Sequence, residues 1–188
     1  MLRNKQNIIE LFNNDKQMIA ILRAVQTLNL PDWWICAGFV RSKIWDVLHG
    51  FSHPTPTDDI DVVYFDPLHT EETMEKEFEQ KLKSNFPNIP WSVKNEARMH
   101  HINGLEPYKN TIDAISKFPE TVTALGIKLD ENEELKLTAP HGLEDVLNMI
   151  VRPTPYFIES EERMKIYYHR LQKKKWHDKW NNVTYLIE

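Results

Sequence analysis

Two aspartates one residue apart, Asp59 and Asp61, stand in the run Asp59-Ile60-Asp61-Val62-Val63-Tyr64-Phe65. Its β-branched and aromatic residues predict a strand. Side chains alternate across a strand, so the two carboxylates project from one face while Ile60 and Val62 point to the core. Two such charges side by side raise each other's pKa unless something neutralises them. A divalent cation does so. Aspartate oxygens suit Mg²⁺, which commonly takes one or two carboxylates together with substrate phosphates, and Mn²⁺ can replace it. Asp58 reads as a turn residue or a supporting partner rather than a ligand.

A second piece of chemistry precedes this strand. Trp33-Trp34-Ile35-Cys36-Ala37 is a short apolar run of strand formers closed by Gly38, and a helix follows at once. A helix that starts at the end of a strand aims free backbone N–H groups and a positive dipole end outward, which makes a site for an anionic phosphate. Phosphate at the helix start beside carboxylates that bind metal is the layout of a phosphoryl-transfer site. Arg41, one turn inside, is placed either to contact phosphate or to bridge to the aspartate strand. His100 and His101 suggest zinc, but adjacent histidines on a strand face opposite ways and no Cys or His partner has ligand spacing. Cys36 is expected to be buried.

The elements that must hold these residues follow from periodicity. Two helices are predicted before Pro31, the second carrying Met18, Ile19, Leu22, Val25 and Leu28 on one face, with Asn14 or Asp15 as its cap. The helix after Gly38 carries Val40, Ile44, Val47 and Leu48 on one face and stops near Gly50. A loop with Pro54 and Pro56 delivers the chain to the aspartate strand. A surface helix is expected over 70–86, a short strand over 91–94, and a hairpin from 127–129 and 135–137. A helix over 141–151 and a long basic helix over 159–180 follow, the latter with Met164, Tyr167, Tyr168 and Leu171 inward and Trp176 and Trp180 anchoring it.

Composition sets the limits. The chain has 188 residues, 41% apolar and 27% charged, with five glycines and six tryptophans. At this length one core buries about 70% of the surface of the unfolded chain, so neither metal nor cross-link is needed for stability. One cysteine cannot form an internal disulfide, and no apolar run approaches membrane-span length. A cytoplasmic protein without membrane contact is expected. The net charge of -5 argues against a general coat for nucleic acid. It is an average over two poles. Residues 58–79 hold nine carboxylates and one lysine, whereas 163–180 holds Arg163, Lys165, Arg170, Lys173, Lys174, Lys175 and Lys179 against Asp178. Whether the poles face each other is left open.

Three stretches together carry a resemblance: Ala37-Gly38-Phe39-Val40-Arg41, Leu48-His49-Gly50, and Thr57-Asp58-Asp59-Ile60-Asp61-Val62-Val63. They resemble the signature of the nucleotidyltransferase superfamily, which includes DNA polymerase beta, CCA-adding enzymes and aminoglycoside nucleotidyltransferases. The chain is most similar to small bacterial nucleotidyltransferase-like proteins of this length. Lys94-Asn95-Glu96-Ala97-Arg98-Met99-His100, Phe118-Pro119-Glu120-Thr121, Ala139-Pro140-His141-Gly142-Leu143 and Val151-Arg152-Pro153 extend the likeness from about Trp33 to Trp180.

The resemblance implies an α+β fold of nucleotidyltransferase type, a mixed sheet flanked by helices with a basic C-terminal helix. It implies one domain over 1–188, with a core over about 30–152 and a helical segment over about 156–188. It also implies a Mg²⁺-dependent enzyme that moves a nucleoside monophosphate from an NTP such as ATP to an acceptor hydroxyl. Asp59 and Asp61 would bind the metal, and Gly38, Phe39, Arg41, Ser42 and Arg98 would hold the nucleotide. Glu96 would be the third catalytic carboxylate, with a surface residue as the alternative, and Arg98 otherwise pairs with a nearby acid. Two departures stand out. Superfamily members usually carry Gly-Gly or Gly-Ser where this chain has Gly38-Phe39, leaving Ser42 to supply a hydroxyl, and no carboxylate lies in Trp91-Ser92-Val93-Lys94.

The acceptor is a small molecule, RNA or protein, with Tyr108, His141 and Arg152 available to bind it. Two rival readings stand beside the enzyme. One is a module of the same fold that binds nucleotide without turnover. The other is an RNA-interacting protein using the basic C-terminal helix, whose remaining reading is a solvated face.

Overall fold

The computed structural model describes residues 2–186. Helices α1 (Lys5–Asn13) and α2 (Lys16–Gln26) lead into β1 (Trp34–Cys36), α3 (Gly38–Leu48), β2 (Ile60–Tyr64), α4 (Glu72–Asn85) and β3 (Trp91–Asn95). Then come α5 (Glu96–Asn103), α6 (Thr111–Ser116), the hairpin β4 (Gly126–Leu129) and β5 (Leu135–Thr138), and α7 (Glu144–Asn148). The chain closes with β6 (Ile150–Val151), α8 (Pro155–Ile158), α9 (Glu161–Lys174), a 3₁₀ turn at Trp176–Asp178, and β7 (Thr184–Tyr185).

Five strands form a mixed sheet in the order β3-β2-β1-β4-β5, and β6 pairs with β7 in a small second sheet. β1 runs antiparallel to both neighbours, while β2 and β3 are parallel. This is the expected α+β architecture. The register places Asp61 opposite Cys36 on one side and Ser92 on the other.

Strand alternation sorts the two faces. Ile35, Ile60, Val62, Val93 and Ile127 pack into the main core, which runs from Ile8 and Phe12 of α1 to Trp180 and Val183 near the C-terminus. Trp34, Cys36 and Val63 point to the other face, where Ile115 and Ala124 cover them. Cys36 is fully buried, as expected.

Local signals behave as read in the first half of the chain. The Asp15 side chain accepts from the N–H groups of Gln17 and Met18 and so caps α2. α3 ends at Leu48, just before Gly50 with φ of 67°. Later elements differ. His100 and His101 sit on α5, not on a strand, and their ring centroids lie 3.8 Å apart with the planes tilted by 40°. Asn95 starts that helix, its side chain accepting from the Ala97 N–H.

The helix expected over 141–151 is only α7, because Met149 turns left-handed and Ile150–Val151 pairs with β7. The long basic helix ends at Lys174, where Lys175 adopts φ of 42°. Breaking there lets Trp176 and Trp180 turn inward onto Trp45, at 5.9 and 5.2 Å between ring centroids. Among the described residues, no helix is long and apolar enough to cross a membrane.

Candidate active site

The turn between β1 and α3 is tight. Ala37 takes φ of 52° and ψ of −116°, the conformation of the first central residue of a type II′ turn, where glycine is the usual occupant. Helix α3 therefore begins at Gly38, and the residue pair at the corner is Ala37-Gly38 rather than Gly38-Phe39. Ala37 O accepts from the N–H groups of Val40 and Arg41. Those of Gly38 and Phe39 have no acceptor among the described residues, which leaves them facing outward at the positive end of an eleven-residue helix.

Asp59 is exposed at the end of the loop, and Asp61 is partly buried at the start of β2. Burial first, and then the charge of Asp59, pushes the Asp61 carboxyl up to about 6; a hydrogen bond with Ser92 and the cations Lys174 and Arg170 act against that rise. Both aspartates line a cavity of about 270 Å³. Its other walls are Ala37, Gly38, Arg41 and Ser42 from the β1–α3 corner and Pro56, Thr57 and Asp58 from the loop. Thr123 and the C-terminal residues Arg170, Lys174, Trp176, Lys179 and Trp180 complete it.

Arg41 is the unusual group here. It is only 8% exposed, and its guanidinium carbon lies 5.2, 4.6 and 5.7 Å from the ring centroids of Trp45, Trp176 and Trp180. Cation–π contact of this kind holds a guanidinium without neutralising it. One of its terminal nitrogens donates to the Ser42 hydroxyl at 3.2 Å, while the buried Nε has no partner. A Cβ placed on Gly38 would lie 3.7 Å from that terminal nitrogen, so the cation sits at the mouth of α3. Burial pulls its pKa down to about 10, and Glu120, Asp58 and Asp59 resist that fall, so it stays charged at neutral pH. The alternative in which Arg41 bridges to the aspartate strand is not what the structure shows, since no carboxylate comes within ion-pair distance among the described residues.

Other residues singled out from sequence lie elsewhere. Phe39 is buried in the core with its ring 5.8 Å from that of Phe12, so only its backbone faces the helix mouth. Arg98 is held by Glu75 through three hydrogen bonds of 2.9 to 3.1 Å and does not line the cavity. Glu96 is not a surface residue: it is 6% exposed, and burial, Glu75 and Asp61 push its carboxyl up to about 8. It too is absent from the cavity wall: it opens α5 just past the end of β3, although its charge and that of Asp61 still act on one another. Tyr108, His141 and Arg152 are engaged away from the cavity. Tyr108 lies under the Lys117 ammonium, His141 meets Ser116 O, and Arg152 pairs with Asp145.

No group of three or more His, Cys, Asp or Glu side chains converges on a metal position among the described residues. The cavity instead offers two carboxylates, Asp59 and Asp61, beside the open N-terminal end of α3. That set fits Mg²⁺ arriving with phosphate oxygens and suits a closed all-protein metal cage poorly. Sequence reasoning missed the C-terminal wall. The basic run was visible, but its approach to residues more than a hundred positions earlier has no local signal.

A protein-family model described as Nucleotidyltransferase matches residues 23–185. A structure described as revealing a CCA-adding enzyme head domain is 42% identical, with a TM-score of 0.90, covering 100% of this chain and 98% of that one. The Thermotoga maritima CCA-adding enzyme complexed with tRNA is 16% identical with a TM-score of 0.54, covering 98% of this chain and 43% of that one. A CCA-adding enzyme complexed with CTP gives 17% and 0.52, covering 98% of this chain and 42% of that one. These two share the fold, and this chain spans less than half of their length. No curated protein matches the chain.

Proposed function

This chain belongs to the nucleotidyltransferase family, and on that footing we propose that it transfers a nucleoside monophosphate from an NTP to an acceptor hydroxyl. The observation that carries the reading is the cavity in which Asp59, Asp61 and the open end of α3 meet. Asp59 and Asp61 would hold Mg²⁺, or Mn²⁺ in its place. When bound, the ion supplies Lewis-acid stabilisation of charge on the transferred phosphate. The free N–H groups of Gly38 and Phe39 and the Arg41 guanidinium receive phosphate oxygens. In the reaction the acceptor oxygen bonds to the α-phosphorus, the bond to the pyrophosphate oxygen breaks, and the hydroxyl proton passes to solvent.

Pyrophosphate release tests this when the protein and Mg²⁺ are mixed with each NTP and a panel of small-molecule, RNA and protein acceptors. RNA is the class to try first, because a CCA-adding enzyme of the same fold is described in complex with tRNA. One NTP and acceptor pair should release pyrophosphate, and Asp59→Asn or Asp61→Asn should reduce the rate about a hundredfold or more. Unchanged release in both variants would sink the mechanism.

One observation favours a second reading. The strand position opposite Asp61 is Ser92, so the third carboxylate common in active members has no counterpart in that register. A module that binds nucleotide and does not turn it over would show calorimetric NTP binding with no pyrophosphate from any acceptor.

A further inference from the structure

The C-terminal wall of the cavity carries more positive charge than the fold uses. Arg170 is committed: its Nε lies 2.7 Å from Glu120, a fully buried carboxylate that also accepts from the Thr123 hydroxyl. Lys174 makes only a loose pair with Asp58, at 3.5 Å, across an exposed edge of the cavity. The Lys179 side chain has no ion pair or hydrogen bond among the described residues, yet it lines the cavity. Beside them sits Arg41, buried, charged and without a carboxylate, its Nε unpartnered. A buried cation left in this state is costly unless an anion reaches it. Gly38, whose N–H is free at the start of α3, lines the same space.

We propose that Lys174 and Lys179 form a polyphosphate wall: they hold the β- and γ-phosphates of the NTP while Arg41 and the α3 end hold the phosphate nearer the aspartates. This rests on the reading that the cavity takes an NTP, and it adds which residues grip the leaving pyrophosphate. A lysine ammonium suits this task as a mobile point charge. Lys174 also has a second partner to leave. It pairs with Asp58, directly beside Asp59, so in the free protein its positive charge stands at the edge of the aspartate cluster. On nucleotide binding it moves from Asp58 to phosphate.

The two roles of Lys174 give opposite signs in one experiment. Calorimetry would measure Mn²⁺ alone, Mg²⁺ with inorganic tripolyphosphate, and Mg²⁺ with the non-hydrolysable α,β-methylene analogue of ATP, for wild type, Lys174→Ala, Lys179→Ala and Lys174→Arg. Each alanine variant should bind tripolyphosphate and the analogue about tenfold more weakly, the size of one lost charged hydrogen bond. Lys174→Ala should at the same time bind Mn²⁺ alone a few-fold more tightly, and Lys174→Arg should restore most of the tripolyphosphate affinity. Both lysines are solvent-accessible, and an unchanged melting temperature shows that the fold is intact. Wild-type affinity for both phosphate probes in the alanine variants would overturn the wall while leaving the NTP reading in place. Failure of the wild type itself to bind the ATP analogue would overturn both.

Discussion

Ala37 shows how a single backbone angle shapes this site. Holding a non-glycine residue at φ of 52° and ψ of −116° costs on the order of 1 to 2 kcal/mol, and the register of β1 against β2 and β4 imposes it. Ala37→Gly should therefore raise stability by about 1 kcal/mol in chemical denaturation, because relief of the strain exceeds the added chain entropy. A loss of stability would show that the corner is relaxed with alanine. The sequence made the corner visible through Gly38, but displaced it by one residue: composition marks a glycine, whereas the strained angle belongs to its neighbour.

Glu96 carries a second residue-scale expectation. Its folded carboxyl is pushed from 4.5 to about 8 by burial and by the charges of Glu75 and Asp61, with Lys94 acting the other way. The folded state thus favours the neutral acid. The associated stability is complete below pH 4.5 and is lost as pH rises through about 8. Wild type should lose stability across this window through this group, and Glu96→Gln should lose clearly less. Urea unfolding of both proteins at pH 5 and pH 8.5 checks it; parallel pH curves would contradict the assignment. Nothing in the spacing of Glu96 announced this burial, since it depends on β3 being parallel to β2 and on α5 starting where β3 ends.

At the scale of elements, the break after α9 matters most. Helical periodicity read through Lys175 because lysine is a good helix former, yet three adjacent lysines and two tryptophans ask for different surroundings. The chain satisfies both by stopping the helix and folding Trp176 and Trp180 onto α3. Trp180 donates its indole N–H to the buried Asp46 carboxylate at 2.8 Å, and Asp46 in turn holds the N–H and hydroxyl of Thr55 in the proline-rich loop. Trp180→Phe should cost about 2 kcal/mol by leaving part of that carboxylate unpaired, and it should loosen the loop beside the aspartates. Thermal unfolding gives the first effect, and faster amide exchange at Thr55 gives the second; unaltered exchange would show that the loop is held without this bond.

Elements with a strong local signature were legible for the same physical reasons that they form. α2 and α3 have apolar stripes and stops, and the aspartate strand has alternation. Elements that exist through tertiary pairing were not legible, as with β6 and β7 or the shortened α7.

At the scale of the molecule, the two charge poles of the sequence meet. Lys174 reaches Asp58, and the field of Arg170 and Lys174 reaches Asp61, so the acidic and basic segments form opposite walls of one cavity. Three segments, with Thr123 from a fourth, build it: the β1–α3 corner, the loop into β2, and residues 170–180. The first two were readable together because they lie within about twenty positions and share a motif. The third was not, because the contact depends on how the C-terminal segment packs against Trp45.

The central claim is that this cavity performs nucleotidyl rather than phosphoryl transfer through Asp59 and Asp61. Its most direct test compares NTPs labelled at the α-phosphate and at the γ-phosphate, with Mg²⁺ and a responsive acceptor, in wild type and in the two Asn variants. The expected result is that α-label moves to the acceptor, γ-label leaves as pyrophosphate, and both signals vanish with Asp59→Asn or Asp61→Asn. Acceptor labelled from the γ-position, or α-label transfer undiminished in both variants, would contradict the account.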